Sequence, residues 1–217
     1  MSSQSCKKVQ SVTEGVNIVI SPKVKKTCML SISAGWLEQA QKLPSPHFSK
    51  RELGEKISLL VVHNISLPAG NFTGNCISDL FLGQLDCDAH PSFHDLRGVE
   101  VSAHCLIRRD GKIIQYVSFD DKAWHAGISC FNNRDKCNDF SIGIELEGTD
   151  DIPYTSEQYQ QLTTLTLCLQ NQFPDIIMDN IVGHCDIAPQ RKTDPGRAFD
   201  WPFFRQCLTE QASRNNL

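Results

Sequence analysis

Apolar and polar positions along the chain fall into short runs whose spacing predicts a small set of elements. Leu59 to Val62 is a continuous apolar run bounded by polar residues, which predicts a buried strand over Ser58–His63. Residues 141–147, Ser-Ile-Gly-Ile-Glu-Leu-Glu, alternate small or polar with apolar, the two-residue period of a strand. Ile142, Ile144 and Leu146 then face one way, and Glu145 and Glu147 the other. Val101–Ile107 and Lys112–Val117 read as two strands around Arg109-Asp110-Gly111, and Asp-Gly between apolar runs predicts a hairpin. Tyr159, Leu162, Leu165, Leu169 and Phe173 recur at spacings of three and four, one stripe of a helix over Thr155–Phe173. Thr155 with Gln158 makes a capping box at its start, and Pro174 stops it. Asn180–Gly183 predicts a short strand, and Asp200 caps a last helix, Trp201–Leu208, with Pro202 tolerated in its first turn. Ser33–Lys42 predicts a short helix ended by Leu43-Pro44-Ser45-Pro46.

This order of strands and helices describes an α/β fold: a single domain with a mixed central β-sheet flanked by helices. Leu67 to about Gly98 is irregular, with at most a helical turn at Cys76–Phe81. So long a connection in a compact domain is usually functional, and it begins just after His63, so it is expected to wall a substrate cleft. Residues 1–30 show no periodicity and read as an N-terminal extension of no assigned role. The domain is expected over 31–210, with a C-terminal tail at 211–217.

Composition narrows the partners. The 217 residues carry a formal net charge of −4, and no basic block is longer than Lys23-Val24-Lys25-Lys26. A nucleic-acid partner, which needs a concentrated basic face, is therefore not expected. Ten cysteines are scattered with no Cys-x-x-Cys pair. Val16 to Ile20 is too short and too interrupted for the apolar core of a secretion signal. A cytoplasmic, membrane-free monomer with reduced thiols is the expectation, with Cys105 and Cys168 as small core hydrophobes.

The candidate chemistry lies in three places. Residues 183–196, Gly-His-Cys-Asp-Ile-Ala-Pro-Gln-Arg-Lys-Thr-Asp-Pro-Gly, pack His184, Lys192 and Asp194 into a segment broken by Pro189 and Pro195-Gly196. His63 falls where the first core strand emerges. Two imidazoles and one carboxylate converging on tetrahedral zinc leave a fourth position open, as catalytic sites do. A glutamate on a rigid strand beside them suits a general base, which makes Glu145 a candidate. Taken singly, each residue has a plainer reading: a lone histidine is more often packed or at the surface, and Glu145 and Glu147 read equally as solvated carboxylates on an edge strand. Cys185 is set aside as a ligand because neighbouring residues rarely point at one ion. The His90 and His94 pair is set aside because Pro91 interrupts it. Trp124 and His125 suit the wall of a sugar or peptide site, or a tryptophan packed over the sheet edge. Asn64 is a candidate hydrogen-bonding group, and Arg134 and Lys136 are candidate clamps for substrate carboxylates.

Five strings carry a resemblance: Leu-Leu-Val-Val-His-Asn-Ile-Ser-Leu-Pro (59–68), Val-Ser-Ala-His-Cys-Leu-Ile-Arg-Arg-Asp-Gly (101–111), Ala-Trp-His-Ala-Gly (123–127), Asn-Asp-Phe-Ser-Ile-Gly-Ile-Glu-Leu-Glu-Gly-Thr (138–149) and Gly-His-Cys-Asp-Ile-Ala-Pro (183–189). They resemble the AmpD family of bacterial cytoplasmic 1,6-anhydro-N-acetylmuramyl-L-alanine amidases, from about Gly35 to Leu208. The resemblance implies zinc held by His63, His184 and Asp194, with Glu145 and Lys192 catalytic and a small muropeptide as substrate. It also implies the amidase fold shared with peptidoglycan recognition proteins. A zinc-free peptidoglycan-binding module and an exported amidase acting on polymeric wall are the competing expectations.

Overall fold

The computed structural model describes residues 30–215. Residues 1–29 of the expected extension, with its lysine cluster, Cys6 and Cys28, lie outside the described residues. The core is a six-stranded sheet built from β1 (Gln41–Lys42), β2 (Leu59–Ile65), β3 (Cys105–Ile107), β4 (Ile113–Gln115), β5 (Ser141–Glu147) and β6 (Ile181–Gly183), in the order β6-β2-β5-β3-β4-β1. β5 runs parallel to both β2 and β3, and β6 runs parallel to β2. The hairpin partner β4 is antiparallel to β3, so the sheet is mixed, as expected.

β5 is central, and all seven of its residues are buried. Its alternation therefore sorts residues between two covered faces, not between core and water. The helical turn expected at Cys76–Phe81 forms the short helix α1. Ile142, Ile144 and Leu146 join Leu60 and Val62 of β2 against Leu162, Leu165 and Leu169 of α2 (Ser156–Gln172) and Phe204 and Leu208 of the C-terminal helix. The opposite face carries Leu59 and Val61 packed with Ala126, Phe140 and Ile187. Helix α2 starts at the anticipated box: the Gln158 N–H donates to Thr155 Oγ1 at 3.1 Å and the Thr155 N–H to Gln158 Oε1 at 3.1 Å. Asp200 caps the last helix through the Phe203 N–H at 2.9 Å, but that helix continues from Trp201 to Asn215, past its expected end.

Two local expectations are corrected. The segment 33–42 is not a helix. Ile32–Ser33 pairs antiparallel with Trp36–Leu37 around Ala34 and Gly35, both at positive φ, which makes a tight hairpin. A side chain at Gly35 would run into Ser118 Oγ and the Asp120 carboxylate, so the turn also needs glycine to approach the loop at Ser118–Asp120. The run 101–107 forms a strand only at Cys105–Ile107, while the N–H of Ser102 is taken by the carbonyl of Trp124. All eight described cysteines are free, with Cys105 buried in the core and Cys168 partly so. Among the described residues no helix is long and apolar enough to cross a membrane.

Candidate metal centre and active site

Three parallel strands deliver the site at their carboxyl ends, where open α/β sheets place ligands. His63 ends the apolar run of β2 and is directly opposite Glu145 of β5 in the parallel register. Both side chains are thus on the face of the sheet away from α2. His184 follows β6 at once and begins a single helical turn, His184–Ile187. The chain then folds back, the Lys192 N–H donating to the Ala188 carbonyl and the Cys185 N–H to the Asp194 carbonyl, each at 3.0 Å. Tyr154 Oη holds the end of this loop through the Pro195 carbonyl at 2.8 Å. These bonds bring Asp194 to the two histidines.

His63 Nδ1 lies 3.0 Å from His184 Nδ1 and 3.0 Å from Asp194 Oδ2, and His184 Nδ1 lies 3.1 Å from Asp194 Oδ2. The edges of a tetrahedron of zinc ligands are about 3.3 Å, so the triangle is the right size for one small cation. Its chemistry agrees. His184 Nε2 faces the Ala126 carbonyl at 3.1 Å, and a carbonyl only accepts, so the ring proton sits on Nε2. His184 Nδ1 is then the ring nitrogen turned to the other two groups. Burial holds the His63 imidazole down to about 4, so it is neutral near pH 7. Burial pushes the Asp194 carboxyl up, but its contacts with His184 and His63 outweigh that and keep it ionised. Two imidazole nitrogens and one carboxylate suit a divalent ion.

Glu145 and Lys192 line the same cavity of about 220 Å³, with Trp124, Phe81 and Ser102 on its walls. Glu145 is buried and its Oε2 has no hydrogen-bond partner. Burial first, then the charge of Asp194, push the Glu145 carboxyl well up, against the pull of Lys192. A second cavity of about 580 Å³, lined by Asp150, Thr149 and Arg191, shares Asn64, Lys192 and Asp194 with the first, so the cleft continues past the ligands.

The expected substrate contacts fare unequally. Asn64 lines both cavities, its Nδ2 donating to Asp150 Oδ1 at 2.8 Å. Trp124 is both wall and packing residue: it lines the cavity, stacks on His47 and donates through Nε1 to Ser49 Oγ. His125 also lines the cavity, but both its ring nitrogens are engaged, one with His63 and one with Ser141. Arg134 and Lys136 are not brought to either cavity. Arg134 pairs with Glu55 at 2.6 Å and lies over the Phe140 ring, and Lys136 sits exposed in a left-handed turn. Arg134→Ala should accordingly leave the Michaelis constant for a muropeptide within about twofold of wild type, because an exposed pair of this kind contributes little. A tenfold rise would put Arg134 back in the substrate path. Glu147 shares the face of Glu145 but is taken by Arg108 Nη2 at 3.0 Å and by the Arg109 N–H at 3.0 Å. Sequence reasoning missed Tyr154, Asp150 and Ser141, whose roles come only from contacts made through space.

A sequence model of the N-acetylmuramoyl-L-alanine amidase family matches residues 53–197. The 1,6-anhydro-N-acetylmuramyl-L-alanine amidase AmpD of Salmonella typhimurium is 61% identical over 174 residues, which are 80% of this chain and 92% of that protein. The chain belongs to the AmpD family and is an N-acetylmuramoyl-L-alanine amidase. A crystal structure of a selenomethionine AmpD derivative superposes with a TM-score of 0.80 at 56% identity, covering 82% of this AmpD-family chain and 99% of the other. AmpDh3 from Pseudomonas aeruginosa, solved in complex with anhydromuramic pentapeptide, superposes with a TM-score of 0.54 at 28% identity over 73% of this chain and 62% of its own.

Proposed function

We propose that this amidase is zinc-dependent and cleaves the amide joining the lactyl group of 1,6-anhydro-N-acetylmuramic acid to L-alanine in small muropeptides, during cytoplasmic recycling of the cell wall. The observation that carries the metal is the 3.0–3.1 Å triangle of His63 Nδ1, His184 Nδ1 and Asp194 Oδ2, with His184 Nε2 tied to a carbonyl. The substrate reading is supported by the relatives: AmpD of Salmonella typhimurium bears that activity in its name, and the P. aeruginosa neighbour was solved with an anhydromuramic pentapeptide. Eight free cysteines among the described residues suit a reducing compartment. A monomer without nucleic-acid or membrane partner suffices for this role.

Bound zinc supplies Lewis acidity, polarising the scissile carbonyl and bringing the pKa of a water in the site to about 7. Glu145 accepts the proton of the attacking water and hands it to the leaving amine of L-alanine. A carboxyl whose buried setting pushes its pKa up is suited to holding that proton between the two transfers. The Lys192 ammonium, lining the same cavity, stabilises the oxyanion that develops on the carbonyl, an effect of about 3 kcal/mol for one well-placed donor. Trp124 offers an apolar face to the sugar, and Asn64, oriented by Asp150, offers its carbonyl oxygen to the peptide.

The deciding assay compares purified protein on anhydromuropeptide and on intact sacculi, before and after metal removal with EDTA. Cleavage of the small substrate alone, lost with EDTA and restored by Zn²⁺, is the expected result. Full activity after verified metal removal would end the zinc reading. Comparable release from sacculi would point instead to an enzyme of polymeric wall.

A further inference from the structure

The two histidines of the metal triangle are oriented by chemically different partners. His184 Nε2 meets the Ala126 carbonyl at 3.1 Å, which can only accept and is nearer than the Arg191 Nη2 donor at 3.5 Å, so its tautomer is set by the backbone. His63 Nε2 meets His125 Nδ1 at 2.9 Å, and a neutral imidazole nitrogen either donates or accepts. The next contact, His125 Nε2 to Ser141 Oγ at 3.1 Å, is equally reversible because a hydroxyl rotates. His63, His125 and Ser141 thus form a chain of three neutral groups whose hydrogen bonds can all run in either of two directions.

Only one direction serves the metal. For His63 Nδ1 to present a lone pair, Nε2 must carry the proton, His125 Nδ1 must accept it, and His125 Nε2 must donate to Ser141 Oγ. In the other direction Ser141 donates to His125, His125 Nδ1 donates to His63 Nε2, and the His63 Nδ1–H points at Asp194 Oδ2, 3.0 Å away. That second arrangement satisfies the carboxylate without a metal. Passing between the two relocates a proton within each ring and rotates one hydroxyl, with no net proton gained or lost.

We propose that His125, held by Ser141, is a positioning residue that sets the metal-binding tautomer of His63, and that the hydrogen bonds of this chain reverse when the ion binds. The ring of His125 has no freedom to evade the task. It packs against Gly143 of β5, where an added Cβ would clash with the ring atoms Cγ, Nδ1 and Cδ2. Asn138 Oδ1 accepts from both the His125 N–H at 3.2 Å and the Ala126 N–H at 2.8 Å, fixing the backbone that carries it. One asparagine side chain therefore ties down the residue that orients His63 and the carbonyl that orients His184. Outer partners of this kind are worth roughly 10–100-fold in metal affinity.

The inference rests on the metal reading, and the test separates the two. Zn²⁺ is titrated into metal-free protein against a chromophoric chelator, with melting temperatures recorded alongside. His125→Leu removes the acceptor and should weaken Zn²⁺ by roughly 10–100-fold. His125→Asn, whose Oδ1 falls near the former Nδ1, should recover affinity to within about threefold of wild type. Ser141→Ala leaves the ring in place and should weaken Zn²⁺ several-fold. Long-range ¹⁵N–¹H spectra of the wild type give a readout that needs no variant: His125 should be protonated on Nδ1 without metal and on Nε2 with Zn²⁺. A His125→Leu protein that binds Zn²⁺ as tightly as wild type, or a His125 that keeps its proton on Nδ1 in the loaded state, overturns the assignment while leaving the metal site standing. A wild-type protein that takes up no Zn²⁺ removes both.

Discussion

Glu145→Gln should lower turnover by roughly 10²–10⁴-fold, the usual worth of a positioned general base, while zinc content and the Michaelis constant stay near wild type. The amide has almost the shape of the carboxylate but cannot take a proton from water. Packing on β5 should survive, because Glu145 Oε2 makes no hydrogen bond that the substitution would break. Stability should even improve in the metal-free protein near pH 7. The folded-state pKa of Glu145 lies above its unfolded value, so its protonated form favours folding at low pH and that advantage is lost as pH rises through the folded value. Glutamine stays neutral throughout. Glu147→Gln is the control and should behave in the opposite way. It breaks the charge pairing of a buried residue with Arg108, so it should cost on the order of 3 kcal/mol of stability and leave turnover within a few-fold. Unfolding curves and steady-state kinetics on the two variants make the comparison. If Glu147→Gln is the inactive protein, the base has been misassigned.

Replacing any one of His63, His184 or Asp194 by alanine should abolish detectable amidase activity and strip zinc at equilibrium. Each change removes one corner of the 3.0–3.1 Å triangle, so each should cost more than the roughly 10–100-fold expected of an outer partner. Asp194→Asn should be as severe as alanine, because it removes the only negative charge from the set. Elemental analysis after gel filtration, with activity measured at added Zn²⁺, gives the answer. A variant that keeps full zinc occupancy does not replace a ligand.

What could be read from the chain and what could not divide along the range of the interactions. The capping box of Thr155 and Gln158 and the turn at Asp110-Gly111 are settled by residues a few positions apart, and both were legible. The alternation over Ser141–Glu147 shows a strand with two glutamates on one face but not that the strand is central, and only its neighbours in space, Arg108 and the His63–His184–Asp194 triangle, tell these glutamates from exposed carboxylates. The hairpin at Ala34-Gly35 reads as helix in the sequence because Ala34, a strong helix former, takes the first positive φ where an asparagine would mark the turn. Arg134 reads as a clamp in the sequence because nothing local reveals its partner: Glu55 is 79 residues away. The sequence puts His125 at the site but only as part of its wall, since its bonds to His63 and Ser141 exist only once β2 and β5 lie side by side.

The separation of the metal corners along the chain has a kinetic consequence. His63 and His184 are 121 residues apart, and His63 and Asp194 are 131 apart. Contacts between such distant positions close the longest loops and form slowly. The triangle cannot exist until β6 has docked beside β2 and the chain beyond it has folded back, so most of the polypeptide must already be in place. Metal capture should therefore be among the last events of refolding from denaturant. Stopped-flow mixing with a zinc-responsive dye should show capture lagging the packing of the half-buried Trp36 and Trp201. The ion would then act as a latch on a finished scaffold and not as its nucleus, so a chelator should inactivate the enzyme long before it unfolds it.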